Sequence, residues 1–145
     1  MKKLKILIVI ALVLGLLGGT YAWFFVYNKA HRDIENATPD YTETTEYLYH
    51  HYVNGLNTQD KNYDGAVIEI TGNPTTVESG DSLKVVVFVF NQGMFGDEGI
   101  RCTMLPWHND KTENLSPDHP ITIKGFCAGY NGTDIILEQC SIINH

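Results

Sequence analysis

"ITIKGFCAGYNGTDIILEQCSI", residues 121–142, is the stretch on which the fold turns. Ile121 and Ile123 alternate with Thr122 and Lys124, the two-residue period of a strand with one wet face. Asn131-Gly132 then supplies the positive φ angles that a type I′ hairpin turn demands, and a second β-prone arm runs on to Ile142. With Asn131 and Gly132 as the two turn residues, Tyr130 faces Thr133, Cys127 faces Ile136 and Ile123 faces Cys140. Cys127 and Cys140 then share a sheet face without being opposite each other, and a bulge would shift that register.

Upstream, the same period recurs. "IRCTML", residues 100–105, sets Ile100, Cys102 and Met104 against Arg101 and Thr103. Leu83–Phe90 is strongly β-prone and apolar on both faces after Lys84, so it reads as a strand covered on both sides. Ile68 and Ile70 alternate with Glu69 and Thr71, and Gly72 directly after them marks a bulge or bend. Between these strands, "NQGMFGDEG" (91–99) reads as a loop. "PWHNDKTENLSPDHP" (106–120), with three prolines and no apolar period, reads as an exposed connection with at most a short helical turn.

Before the strands, Leu48, Tyr49, Tyr52, Val53 and Leu56 fall at helical spacing on one face. Asp40, Thr42 or Thr44 can cap the start of this helix, and Glu43 and Glu46 suit its first turn. The tyrosine stripe Tyr47, Tyr49, Tyr52 is read as packing on the sheet rather than as a ligand surface. Five strands in about 80 residues, with one helix outside them, suit a small barrel whose curvature uses the glycines at 72, 125 and 129.

The N-terminus has another character. Ile6 to Tyr27 is 22 residues without a charge, about 33 Å as a helix against a hydrocarbon core of about 30 Å. Lys2, Lys3 and Lys5 precede it, so the positive-inside bias keeps the N-terminus cytoplasmic and sends the rest outward. Residues 1–27 are therefore read as a retained transmembrane signal-anchor. A cleaved signal peptide, cut after "TYA" (20–22), would leave "WFFVY" exposed as the new terminus. Gly15 and Gly19 are read as small residues ordinary in a membrane helix rather than as a dimerisation motif. Residues 28–41, polar with a proline, read as a juxtamembrane linker, and residues 42–145 as the folded domain.

Beyond Tyr27 the chain carries seven Lys/Arg and all 17 Asp/Glu, a formal charge of −10. Phosphate backbones are bound mainly by Lys and Arg displacing counterions, so nucleic acid is disfavoured as a partner. The three cysteines match no zinc spacing and the histidines are scattered apart from His50-His51, so no metal or other cofactor is expected. No nucleophile–base pairing is legible locally, Cys127 and Cys140 are not a CxxC pair, and no catalytic residue is assigned. In an oxidising compartment two of Cys102, Cys127 and Cys140 can pair, leaving one.

"YDGAVIEITGNPTTV" (63–77), "IRCTM" (100–104) and "ITIKGFCAGYNGTDIILEQCSI" (121–142) together resemble the tRNA_anti-like family of small bacterial OB-fold proteins, which often carry a membrane or lipoprotein anchor. In that pattern a Tyr-containing helix leads into a "vieVtG" strand, a "C-T" strand follows, and the close reads "tIKGxCxGyxxDvxLxxC". The resemblance covers residues 41–143. It departs where relatives place "LKxGD" before the fourth strand and this chain has "LSPDHP". It implies a five-stranded OB barrel with a preceding helix, and it implies no particular ligand, since OB folds bind oligonucleotides, glycans and proteins alike.

Such a barrel sets its third strand beside its fifth, which makes Cys102 a second candidate partner for Cys140 besides Cys127. It also points to strands two and three and their flanking loops as the ligand face, with Lys84, Arg101, Trp107 and Tyr130 as candidates. The reading as a whole is a membrane-anchored, extracytoplasmic, non-enzymatic binding or assembly module. Its expected partner is an envelope protein or glycan, and nucleic-acid binding is the alternative.

Overall fold

The structure is a computed structural model that describes residues 1–27, 33–55 and 61–144. It divides into two compact units, Met1–Asp33 and Ile34–His145. In the first, helix α1 (Lys2–Ala22) runs into a π-helical turn, Trp23–Tyr27. The stretch Lys2–Phe25 is long and apolar enough to cross a membrane. Its described side chains are exposed.

The second unit is mainly β. The sequence predicts five strands; among the described residues there are seven, in one sheet. They are β1 (Tyr41–Thr44), β2 (Val67–Gly72), β3 (Thr76–Ser79), β4 (Lys84–Gly93), β5 (Gly96–Met104), β6 (Ile121–Tyr130) and β7 (Asp134–Asn144). Their order is β1-β2-β6-β7-β5-β4-β3, with β1–β2 and β5–β7 parallel and the other pairs antiparallel. The ladder does not close on itself; β1 and β3 are its edges. Yet only residues 73–75 separate β2 from β3, and Thr75 within them donates its N–H to Val87 O at 2.8 Å.

The core sits where the inward faces meet. Ile68 and Ile70 of β2, Val86 and Phe88 of β4, Ile100, Cys102 and Met104 of β5 and Ile135 and Leu137 of β7 pack with Leu48 and Tyr49 of helix α2 (Thr45–Val53). The period of two along each strand produces that face. Helix α2 begins as its cap dictates: Tyr47 N donates to Thr44 Oγ1 at 3.2 Å. Its buried face is Thr45, Leu48, Tyr49 and His51. Val53, expected inside, is exposed, because the helix reaches only Val53 and its last turn passes the edge of the core; Leu56 lies outside the described residues.

Three other expectations change. The stretch 91–99 is not a loop: β4 and β5 continue through it as a two-stranded arm, Asn91 opposite Glu98 and Gln92 opposite Asp97, turning at Met94-Phe95. Residues Pro106–Thr112 form a 3-10 helix with His108 and Thr112 buried, started by a proline whose missing N–H costs nothing there. The hairpin register also differs. Tyr130 faces Ile135, Cys127 faces Leu137 and Ile123 faces Ile142. Asn131 does not take the positive φ; its side chain accepts from Thr133 N and Asp134 N at 2.9 and 2.7 Å, and Gly132 alone is left-handed at φ 96°. Register shifts beside Gly125 and Gly129 add the bulges.

The stretch read as linker, 28–41, enters the fold at Ile34, which is 3% exposed. From there a strap leads to β1. Lys124 donates to Ala37 O at 2.9 Å, and Asp40 exchanges bonds with Val67, Asp40 N to Val67 O at 2.7 Å and Val67 N to the Asp40 carboxylate at 2.9 Å. Residues 28–32 lie outside the described residues.

Candidate functional site

Arg101 holds the middle of the outer face of β3, β4, β5 and β7. Its β5 neighbours Ile100 and Cys102 point inward, and it lies between Val87 of β4 and Ile136 of β7. Its guanidinium is already engaged: Nη1 donates to Glu78 at 2.8 Å and Nε to Asp134 at 2.9 Å. The other Asp134 oxygen accepts from Gly99 N at 3.0 Å, so Arg101, Asp134 and the Asn131 turn form one connected support. Gly99 is required there because a Cβ would run into Phe88 O of the paired strand.

Lys84 is on the opposite face. It shares parity with the buried Val86 and Phe88, and its ammonium donates to Glu113 at 3.0 Å at the end of the sheet. Trp107, on the 3-10 helix, donates Nε1–H to one oxygen of Glu35 at 2.9 Å. The neighbouring His108 binds the other oxygen through Nε2 at 2.7 Å. Because His108 Nδ1 accepts from Ile142 N at 3.3 Å, the ring proton resides on Nε2 and is donated to Glu35. The His108 bond, then that of Trp107, holds the Glu35 carboxyl below its ordinary range. The strap is thus fixed to the 3-10 helix, which His108 in turn ties to β7.

Tyr130, at the end of β6, stands 5.8 Å from the ring of Tyr52. Tyr52 donates its hydroxyl proton to Asp64 at 2.6 Å, and the Cys127 thiol lies 3.5 Å from the same oxygen, so that thiol is the donor in their contact. Burial, reinforced by Asp64, pushes the Tyr52 phenol far up. Alongside, Tyr63 and Lys61 both donate to Glu43, at 2.9 and 2.7 Å, and Lys61 also sits over the Tyr47 ring. His51, 4% exposed, packs edge-on against Tyr63 at 5.0 Å with no partner for Nε2.

The four candidates of the ligand face therefore occupy four places, and each already has a contact within the domain. The three cysteines are free and buried. Across the β5–β7 ladder Cys102 faces Leu137 and Cys140 faces Met104, while Cys127 bonds Tyr52. Burial pushes the Cys140 thiol well up and the Cys127 thiol up, leaving little thiolate in either. Among the described residues, no three His, Cys, Asp or Glu side chains converge as a metal-binding group. Sequence reasoning missed Glu35, Asp134 and the hairpin tip. Only the tip left a signal, in the glycines that bracket Met94-Phe95.

A family model described as tRNA_anti-like matches residues 1–142. No curated protein matches the chain. Among solved structures, the chain is similar to "OBody AM1L10 bound to hen egg-white lysozyme" at 16% identity and a TM-score of 0.39, covering 57% of this chain and 84% of that one. It is similar to "OBody AM3L09 bound to hen egg-white lysozyme" at 15% identity and a TM-score of 0.39, covering 57% and 85%.

Proposed function

This chain belongs to the tRNA_anti-like family, and from that membership we propose that residues 34–145 are a non-enzymatic OB-fold binding or assembly module. The apolar N-terminal helix anchors it to a membrane, with the domain on the extracytoplasmic side and a protein or glycan of the cell envelope as its ligand. In this reading β2 and β3 are two halves of one bent first strand, and β4, β5, β6 and β7 complete a five-stranded barrel. The support for that is the short 73–75 link between the second and last strands of the order.

The observation that carries the choice of ligand class is where the cations go. The sequence has five Lys/Arg after Arg32, and four are matched inside the domain: Lys61 by Glu43, Lys84 by Glu113, Arg101 by Glu78 and Asp134, and Lys124 by Ala37 O. A groove that tracks a phosphate backbone needs free cations in a row with stacking rings between them. The outward orientation is supported by Lys2, Lys3 and Lys5 ahead of the helix.

Two measurements test the reading. The full chain, in detergent at 50 mM salt, binds single-stranded DNA or RNA no tighter than about 100 μM, the weak end of non-specific binding; micromolar affinity that falls steeply with salt would favour the nucleic-acid alternative. In spheroplasts freed of any outer membrane and wall, external protease removes the C-terminal domain; full protection there with cleavage after lysis would place it on the cytoplasmic side and end the envelope assignment.

A further inference from the structure

We propose that the tip of the β4–β5 hairpin, Met94 and Phe95, is the anchor by which the domain grips a partner protein, and that the partner offers an apolar pocket rimmed by Lys or Arg. The inference rests on the binding-module reading and names the surface and the partner class.

Met94 and Phe95 are 93% and 95% exposed; among the described residues of the domain the next most exposed large apolar side chain is Trp107 at 65%, and its ring N–H is bonded to Glu35. Adjacent residues held wholly in water at the end of a built arm are a place where apolar area remains to be buried. The arm is pre-organised. Phe90 at its root stacks on Tyr49 at 4.8 Å, a register shift between Val89 and Asn91 re-aims the strand, and Asn91 donates to Glu98 across the ladder at 2.8 Å. Little ordering entropy is left to lose on binding. The tip is also clear of the strap: Glu35 docks on the 3-10 helix beyond Met104, at the other end of β5.

Charge chooses the occupant. From residue 85 to 100 there is no Lys or Arg, while Asp97 and Glu98 follow the tip by two and three residues. A partner surface that closes around Phe95 therefore meets carboxylates, and complementarity calls for cations at its rim. A bilayer is the poorer occupant, since insertion would carry those carboxylates toward headgroup phosphates with no cation between them. A glycan needs hydrogen bonds beside any ring it stacks on, and the tip residues Gly93, Met94, Phe95 and Gly96 offer no side-chain donor.

The test places a photo-crosslinking benzoylphenylalanine at position 95 of the full chain in intact cells, with a parallel chain carrying it at Thr103 on the outer sheet face. The expected result is one predominant captured protein from position 95, crosslinked through a peptide that contains Lys or Arg. With that protein purified, Phe95→Ser weakens binding by at least about tenfold, as a central apolar anchor should. Asp97→Asn weakens it several-fold at low salt only, and both variants unfold at the wild-type temperature. Capture of lipid, of a second copy, or of many proteins in proportion to abundance overturns the proposal, as does an affinity unchanged within twofold by Phe95→Ser. Capture of a protein from Thr103 with none from position 95 sinks the tip while sparing the binding module. Capture from neither position sinks both.

Discussion

Whether Arg101 serves a ligand or the fold can be decided by removing its charge. In Arg101→Met the aliphatic stem over Val87 is retained and the guanidinium is lost. Asp134, whose side chain is 12% exposed, then keeps only the Gly99 N–H as a side-chain partner. A surface ion pair is worth about 0–1 kcal/mol, and breaking a fully buried pair costs about 3–5 kcal/mol. Arg101 is 28% exposed and Asp134 nearly buried, so the loss falls between those limits, about 1.5–3 kcal/mol. Glu78, 53% exposed, contributes little, and Glu78→Gln costs less than about 0.5 kcal/mol.

The assay is urea unfolding of the full chain in non-ionic detergent, in a Trp23→Phe background so that Trp107 is the single reporter. With a slope of about 1.5 kcal/mol per molar urea, Arg101→Met lowers the midpoint by about 1–2 M and leaves the slope unchanged. Combining Arg101→Met with Asp134→Asn costs less than the sum of the two single changes, by about 1 kcal/mol or more. If Arg101→Met instead unfolds within about 0.3 kcal/mol of wild type, the pair is not structural. The guanidinium is then available to a ligand, and the assignment of Arg101 to architecture fails.

Other outcomes follow from the same contacts. Gly99→Ala forces its methyl into Phe88 O of the paired strand, which cannot swing aside as a side chain can; it costs about 3 kcal/mol or more, whereas Gly80→Ala, with nothing nearer than 3.4 Å, stays within about 0.5 kcal/mol in the same urea assay. Tyr52→Phe removes the bond to Asp64 and leaves Cys127 without its acceptor, a loss of about 1–2 kcal/mol by the same measurement. In an alkaline ultraviolet titration Tyr52 and Tyr63 ionise after the exposed tyrosines, since burial raises both, and Tyr52→Phe shortens that late phase. The Glu35 carboxyl is depressed in the folded chain, so its contribution is complete above its unfolded value of about 4.5 and is lost as pH falls through the folded one. Limited proteolysis at residues 33–40 therefore increases below about pH 4.5 in wild type. Glu35→Gln shows raised, pH-independent cleavage.

How much of this could be read from residues depends on the distance between partners. The apolar run of β4 and the alternation in β2, β5 and β6 are local, and each strand lies where its period puts it. The arm at 91–98 was opaque because both its faces meet water, so no alternation marks it. The 3-10 helix was opaque because its burial rests on His108 and Thr112 rather than on an apolar period. The hairpin register differs from the sequence reading by two residues at Tyr130 and one at Cys127, because Asn131 satisfies the chain with its side chain instead of its backbone. The site was least legible of all. Arg101 looked like an outward cation on a wet strand, and the two carboxylates that claim it are 23 and 33 residues away in sequence. Glu35 lay in a stretch that read as linker, 73 residues from His108.

Those long-range pairs also bear on what the domain can recognise. Of the five N–H donors of Arg101, one is held by Glu78 at 2.8 Å and one by Asp134 at 2.9 Å, so a phosphate gripping two adjacent nitrogens has to compete with one of these carboxylates. Displacing Glu78 is cheap, because that carboxylate is half exposed and recovers its hydration. Displacing Asp134 is not, because its carboxylate would remain nearly buried without a counter-charge. One edge of the guanidinium is thus negotiable and the other is fixed, so a two-pronged grip on a phosphate is open to Arg101 only through its Nη edge, in competition with Glu78. Lys84, turned to the opposite face and bonded to Glu113, cannot add a second contact beside it. With four of its five cations after Arg32 matched in this way, the hairpin arm is where the most exposed apolar side chains among the described residues of the domain, Met94 and Phe95, stand beside a carboxylate, Asp97.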